Sequence, residues 1–310
     1  MAFERSQFRD SYPFASHYLD RAGPRMHYLD EGAGPPIVMV HGNPTWSFYY
    51  RRLITALRPT HRCIVPDHIG CGLSDKPGDD QYRYTLQSRV DDLDALLDHL
   101  GIDSGATLVV HDWGGMIGMA CAVRRPGRFA RFVVLNTAAF LLPPGKRFPW
   151  RLRVLHGRNL CTEFAVRGLN LFSWPATWMA TAKGLSKEAR DGLTAPYDSW
   201  ANRIAILRFV QDIPTRPRHR CYALTKSVDD ALGTLADRPM LIGWGARDFV
   251  FDDFFLNEWL RRFPHAEIHR YDDAGHYVLE DAADRLIPTI REFVSRASVA
   301  SHQPAAVGAT

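Results

Sequence analysis

The chain has 310 residues, 46% of them hydrophobic and 23% charged, with a formal net charge of +4. That balance fits a globular protein with one large core, or a core plus a smaller lobe, and gives no reason to expect a nucleic-acid partner, because the arginines read as scattered rather than gathered into one basic run. Cys63, Cys71, Cys121, Cys161 and Cys221 stand far apart with no C-x-x-C pair, a pattern of free thiols in a reducing compartment, without a disulfide frame or zinc site. The N-terminus carries no hydrophobic signal segment and no run reaches transmembrane length, so the cytoplasm is the expected location.

In chain order, His17–Asp20 and His27–Asp30 both spell His-Tyr-Leu-Asp around Ala22-Gly23-Pro24, which reads as a starting hairpin. Strand candidates then follow at Arg25–Leu29, Ile37–His41, Cys63–Pro66, Leu108–His111, Phe132–Leu135, Met240–Gly243 and Ile268–Tyr271. Helix-period segments separate them, such as Leu86–Leu100, where Val90, Leu93, Leu96 and Leu97 share a face. Short apolar strands alternating with helices predict a mostly parallel sheet flanked by helices.

The rhythm breaks after Leu135. Residues 142–232 show helical stretches and many aromatics (Phe148, Trp150, Phe164, Phe172, Trp174, Trp178, Tyr197, Trp200, Phe209) before strands resume at Met240. The expected organisation is a core of 1–141 and 233–296, a helical cap over 142–232 inserted after the sixth strand, and a disordered tail over 297–310. Each aromatic is more simply read as cap core than as a ligand contact, but together they imply an apolar cleft beneath the cap.

The densest signal is Leu108-Val109-Val110-His111-Asp112-Trp113-Gly114-Gly115, a buried strand turning tightly into a helix expected over Met116–Val123. This is the shape of a nucleophile elbow, with Asp112 where a serine or cysteine would stand. A carboxylate, with an ordinary pKa of about 4, is already an anion at neutral pH. It suits an electrophilic carbon bearing a leaving group: a halide, an epoxide or a strained lactone. The plainer reading is a helix N-cap, and its weight falls as partners accumulate.

His276, in Asp272-Asp273-Ala274-Gly275-His276-Tyr277, follows the last strand, where the base of such a set belongs. Asp248 follows Met240–Gly243 and is the expected orienting acid, ahead of Asp252 and Asp253. The slot after the preceding strand holds Asn136, which cannot be an anion. In His41-Gly42-Asn43-Pro44, the amides of Asn43 and Trp113 could form an oxyanion hole. The Asn43 carboxamide and the Trp113 indole N–H could also face a departing anion. The run from Asp67 to Asp75 lacks the marks of a phosphate loop and reads as structural, and no metal or cofactor signature occurs.

These motifs resemble the α/β-hydrolase superfamily over about residues 20 to 295. His-Gly-Asn-Pro, Asp-His-Ile-Gly-x-Gly-x-Ser-Asp-Lys-Pro and His-Asp-Trp-Gly-Gly look like the haloalkane dehalogenases. The resemblance implies an α/β-hydrolase fold, with Asp112 as nucleophile, His276 as base, Asp248 as acid, and Asn43 with Trp113 as anion-stabilising donors. Epoxide hydrolases share the aspartate but rely on two cap tyrosines, of which only Tyr197 is a candidate here. Tyr84–Asp94, Leu135–Phe140 and Ala195–Trp200 look more like the β-lactone decarboxylases of bacterial long-chain olefin synthesis. That likeness implies conversion of cis-3-alkyl-4-alkyloxetan-2-ones to cis-alkenes and carbon dioxide, a hydrophobic small-molecule substrate, no cofactor, and assembly with a β-lactone synthetase and a reductase. The dehalogenase reading, and a ligand-binding member without catalysis, stay open.

Overall fold

A computed structural model describes residues 8–20 and 23–296. The tail expected from Ala297 and the hairpin-turn residue Ala22 lie outside the described residues. Eight strands form one sheet: β1 (His17–Leu19), β2 (Met26–Glu31), β3 (Pro36–Val40), β4 (Arg62–Pro66), β5 (Ala106–Asp112), β6 (Phe129–Thr137), β7 (Met240–Gly245) and β8 (Glu267–Tyr271). Their spatial order is β1-β2-β4-β3-β5-β6-β7-β8. The β1–β2 and β2–β4 pairs are antiparallel and every other pair is parallel. Each apolar run seen in the sequence lies within or across one strand, and most strands run a residue or more further into polar sequence.

The central strands are apolar because both faces are covered. All seven residues of β5 are buried, and so are the five from Phe132 to Asn136 on β6. Burying one Val or Leu side chain stabilises by about 1.5–3 kcal/mol. At the outer edge, β8 alternates partly buried and exposed residues and ends on buried Tyr271.

Helix α1 (Arg51–Leu57) follows β3, α2 (Leu86–His99) precedes β5, and α3 (Trp113–Arg124) follows β5. Thr85 caps α2 by accepting from the Ser88 amide at 3.1 Å. Val90, Leu93, Leu96 and Leu97 are all fully buried, as the periodicity indicates. Helix α3 starts at Trp113, not at Met116 as the sequence reading expected. The glycines that look like a boundary are there for close approach: a Cβ on Gly114 would strike the Val40 carbonyl, and one on Gly115 would strike Thr137.

Between β6 and β7 the described residues form helices and no strand. The set includes Trp150–Leu155, Ser173–Met179, Lys187–Thr194, Ile204–Gln211 and Tyr222–Ala231. Tyr222–Ala231, which the sequence places in the insertion, packs Val228 into the same core as α3. The aromatics of this stretch are not one core. Tyr197 and Phe209 are buried, Phe148 and Phe172 are half-buried, and Trp150, Phe164, Trp174, Trp178 and Trp200 are exposed. All five cysteines are free thiols, and no described helix is long and apolar enough to cross a membrane.

Candidate active site

Asp112 is the last residue of β5 and has φ +51°, a left-handed conformation that costs a non-glycine residue of the order of 1–3 kcal/mol. It stands at the N-cap position of α3 but its side chain makes no capping hydrogen bond. Its Oδ1 instead accepts the Asn43 amide at 2.6 Å, and the Trp113 amide also bears on the carboxylate. Gly42 has to be glycine, because any Cβ there would collide with the Asp112 side chain. Thr137 donates its hydroxyl to the Asp112 carbonyl and ties the turn to β6.

His276 faces this carboxylate, with Nε2 3.7 Å from Asp112 Oδ2. Its Nδ1 donates to Asp248 Oδ2 at 2.7 Å, which leaves Nε2 turned to the nucleophile. The ring stacks on Phe251 at 5.7 Å and lies 4.5 Å from the His111 ring. His111 Nε2 donates to the His276 carbonyl at 2.9 Å. The loop is anchored from below as well. Asp281, itself buried, accepts the Gly275 amide at 2.7 Å and the Ala182 and Lys183 amides of the insertion.

Asp248 is oriented by its own turn, since Oδ1 accepts the Val250 and Phe251 amides at 2.7 and 3.1 Å. The competing carboxylates go elsewhere. Asp252 caps the helix Asp253–Arg262 and pairs with Lys146, while Asp253 faces Arg270. Asn136 has a part that sequence reasoning passed over. It accepts the Gly245 amide at 2.7 Å, returns a bond to the Gly245 carbonyl at 3.0 Å, and donates to Asp248 Oδ2 at 3.1 Å. Noting that it cannot be an anion missed that its amide clamps the acid from the neighbouring strand.

Burial pushes the Asp112 carboxyl upward, more than His276 and the Asn43 and Trp113 amides pull it down. Burial alone would lower His276, but the Asp248 charge and hydrogen bond, with Asp112 adding to them, raise it overall. Asp248 and Asp112 therefore both favour the charged form of the His276 ring over the neutral one. His41 and His68, fully buried behind the Asn43 loop, are pushed down chiefly by that burial and hold the loop as neutral rings. His68 donates to the His41 carbonyl at 2.9 Å, and His41 Nδ1 to the Gly42 carbonyl at 2.7 Å. Asp67 organises its own loop. Burial opposes its charge, yet bonds from His27 and the Leu73 amide bring its carboxyl down to about 2.

Above Asp112 opens a cavity of about 650 Å³ that Asn43, Trp113 and His276 also line. Its walls are overwhelmingly apolar, with Met116, Phe140, Phe172 and Met179 among them. The Asn43 carboxamide donates to the Ile206 carbonyl at 3.1 Å, and its Oδ1 is buried without a hydrogen-bond partner among the described residues. Trp113 lies tilted against Phe209 with ring centroids 5.4 Å apart, and its indole N–H meets no protein acceptor among the described residues. Tyr197 does not line the cavity. It is buried and donates to the Thr45 carbonyl at 3.1 Å, so it cannot serve as a ring-opening cap tyrosine. No cluster of three or more His, Cys, Asp or Glu among the described residues is arranged to hold a metal ion.

A strained aspartate elbow, an Asp–His pair and an apolar cavity on a parallel sheet are features of the α/β hydrolases. The chain belongs to the α/β hydrolase fold family, whose model matches residues 35–283. It is 52% identical over 292 residues to a cis-3-alkyl-4-alkyloxetan-2-one decarboxylase of Shewanella oneidensis, covering 94% of this chain and 92% of that protein. A decarboxylase of the same name from Xanthomonas campestris pv. campestris is 48% identical, over 92% of this chain and 97% of that one. Haloalkane dehalogenase 2 of Mycobacterium bovis is more distant, at 33% identity over 91% and 95% of the two chains. Among solved structures, the haloalkane dehalogenase DatA of Agrobacterium tumefaciens superposes with a TM-score of 0.81 at 25% identity, covering 94% of this chain and 99% of its own.

Proposed function

We propose that the chain is a β-lactone decarboxylase that converts cis-3-alkyl-4-alkyloxetan-2-ones to cis-alkenes and carbon dioxide, with Asp112 as the nucleophile. The observation that carries the reading is an aspartate at the nucleophile position on the floor of an apolar cavity, in a chain about half identical to two such decarboxylases.

In the proposed sequence, an Asp112 oxygen attacks the ring carbon bonded to the ring oxygen. That C–O bond breaks and its electron pair leaves with the former lactone carboxyl, giving an enzyme ester beside a free carboxylate. The carboxylate then departs as carbon dioxide. The electrons of its C–C bond form the alkene, and the ester C–O bond breaks to return its pair to Asp112. The sum is lactone to alkene plus carbon dioxide, with no water consumed and no redox change. Inversion at the first step and anti departure at the second convert a cis ring to a cis alkene. Attack at the carbonyl is less suited, because it leaves an alkoxide and an anhydride with no good leaving group for the second step.

Asn43 and Trp113 are the proposed donors to the free carboxylate, since both line the cavity beside Asp112. His276, whose charged form Asp248 favours, stabilises the Asp112 oxygen as the ester forms and breaks. A dehalogenase would instead need a neutral His276 to activate water. That second reading rests on the Asn43/Trp113 pair, which suits a halide as well as a carboxylate. The five free cysteines favour a reducing, cytoplasmic setting, and docking with the enzymes that make the lactone is the proposed assembly.

The discriminating experiment is a paired assay: a long-chain cis-dialkyl β-lactone with alkene detection, and 1-bromoalkanes with bromide release. Rapid alkene formation with slow bromide release is expected. The reverse would make the chain a dehalogenase, and turnover of neither would leave a ligand-binding protein.

A further inference from the structure

The side chains around the mouth of the cavity face water. Leu142, Trp150, Val154, Leu171 and Phe249 line the cavity and are exposed, Trp150 to 69% and Val154 to 63%. The helix Trp150–Leu155 buries none of its residues. One exposed apolar side chain is ordinary, but a group around a single opening marks a surface that something covers.

One stretch of chain bordering that opening carries charge of a single sign. From Pro143 to Arg158 the chain carries Lys146, Arg147, Arg151, Arg153 and Arg158 and no Asp or Glu. This corrects the expectation of scattered arginines, which came from whole-chain composition. Lys146 is paired with Asp252, whereas Arg147, Arg151 and Arg153 are exposed and meet no carboxylate among the described residues. Arg151 lies over the rings of Trp150 and Phe249, 5.2 and 5.5 Å from their centroids. An indole and aliphatic side chains set among uncompensated arginines match an anionic lipid interface, where the ring sits among headgroups and the cations meet negative potential. A second copy fits poorly, because a two-fold contact would set this positive patch against itself.

We propose that the cavity mouth docks on an anionic lipid bilayer, with Trp150 and Val154 among the headgroups and the arginines on lipid phosphates. An apolar substrate then enters from the membrane without crossing water. The docking rests on the rim and its charge, and holds whichever bond Asp112 breaks.

The test is co-sedimentation of the purified full chain with vesicles of phosphatidylcholine alone and of an equimolar phosphatidylcholine–phosphatidylglycerol mixture. Binding is expected only to the anionic vesicles and should fall as salt is raised. The double variant Arg147→Glu/Arg153→Glu should partition at least tenfold more weakly, at about fivefold per basic side chain lost. Neither residue lines the cavity, so the variant should keep wild-type turnover of detergent-dispersed substrate, which also shows that it folds. Equal binding to both vesicles, binding to neither, or anionic binding that survives the charge reversal overturns the proposal. A salt-sensitive dimer in sedimentation velocity, without vesicle binding, would likewise overturn it and assign the face to a second copy.

Discussion

The sheet edge and the helical insertion meet at the same cavity but are built on opposite terms. At the sheet edge every reacting group is fixed by hydrogen bonds: Asp112 by the Asn43 amide, His276 by the Asp248 carboxylate, and Asp248 by two backbone amides and the Asn136 side chain. In the insertion, large aromatics such as Trp150, Trp174 and Trp178 face solvent, and Arg147, Arg151 and Arg153 meet no carboxylate among the described residues. The difference teaches where each property resides. Charge and geometry for bond breaking belong to the sheet, whereas substrate fit and surroundings belong to the insertion, so substitutions in the two regions should differ in kind as well as in size.

The comparison breaks most directly at Asp112. Asp112→Asn is expected to lower alkene formation by about 10⁴-fold or more while circular dichroism stays unchanged, as for loss of a covalent nucleophile. Activity within tenfold of wild type would remove Asp112 from the first step. His276→Gln should cost about 10²-fold in alkene formation. Treated with a 1-bromoalkane, that variant should retain an alkyl adduct on Asp112 by mass spectrometry, because cleavage of a stable alkyl ester needs the base. An adduct on any other residue would refute the assignment.

The pH profile sharpens the same comparison. Asp112 must be an anion to attack, and its carboxyl is held above the usual carboxylate range chiefly by burial. Alkene formation should therefore fall, as pH drops, at a higher pH than an ordinary aspartate would set, by about tenfold per unit. Asp248 favours the charged form of His276, so hydrolysis of a bromoalkane adduct should increase as pH rises through the His276 titration, while alkene formation does not need that deprotonation. Parallel profiles for the two reactions would argue that both use neutral His276.

Asn136→Ala removes three hydrogen bonds between β6, β7 and the acid. Losing buried bonds of this kind typically costs about 1–3 kcal/mol, to be read by denaturant unfolding. A roughly tenfold lower kcat with little change in KM should accompany it, because the residue acts through Asp248. A change in KM alone would make Asn136 a substrate contact instead. The smallest effect is expected in the insertion. Trp174→Ala, at an exposed position that does not line the cavity, should alter stability by no more than about 0.5 kcal/mol and leave turnover within twofold.

Much of the sheet was legible because parallel strands buried on both faces must be continuous apolar runs, and each run corresponds to a strand. Asp112, His276 and Asp248 could be picked out because each stands at or just past the end of a strand in chain order, and the structure brings the three together within hydrogen-bond or ion-pair distance. Asn136 was legible only as an absence of charge, since its partners on β7 lie more than a hundred residues away in the chain. The start of α3 was misplaced because Gly114 and Gly115 read as helix breakers when they allow close contact with β3 and β6. The aromatic insertion was the least legible part. Composition gives its apolar content but not which faces other elements cover, and so it hid both the exposed rim and the basic run beside it.

The central claim is that the Asp112 ester collapses to alkene without water. The most direct measurement is the product balance from a cis-dialkyl β-lactone, with cis-alkene, carbon dioxide and 3-hydroxy acid quantified together. Equal amounts of cis-alkene and carbon dioxide with no hydroxy acid are the expected result. Hydroxy acid as the main product would mean that water cleaves the ester, and would contradict the claim.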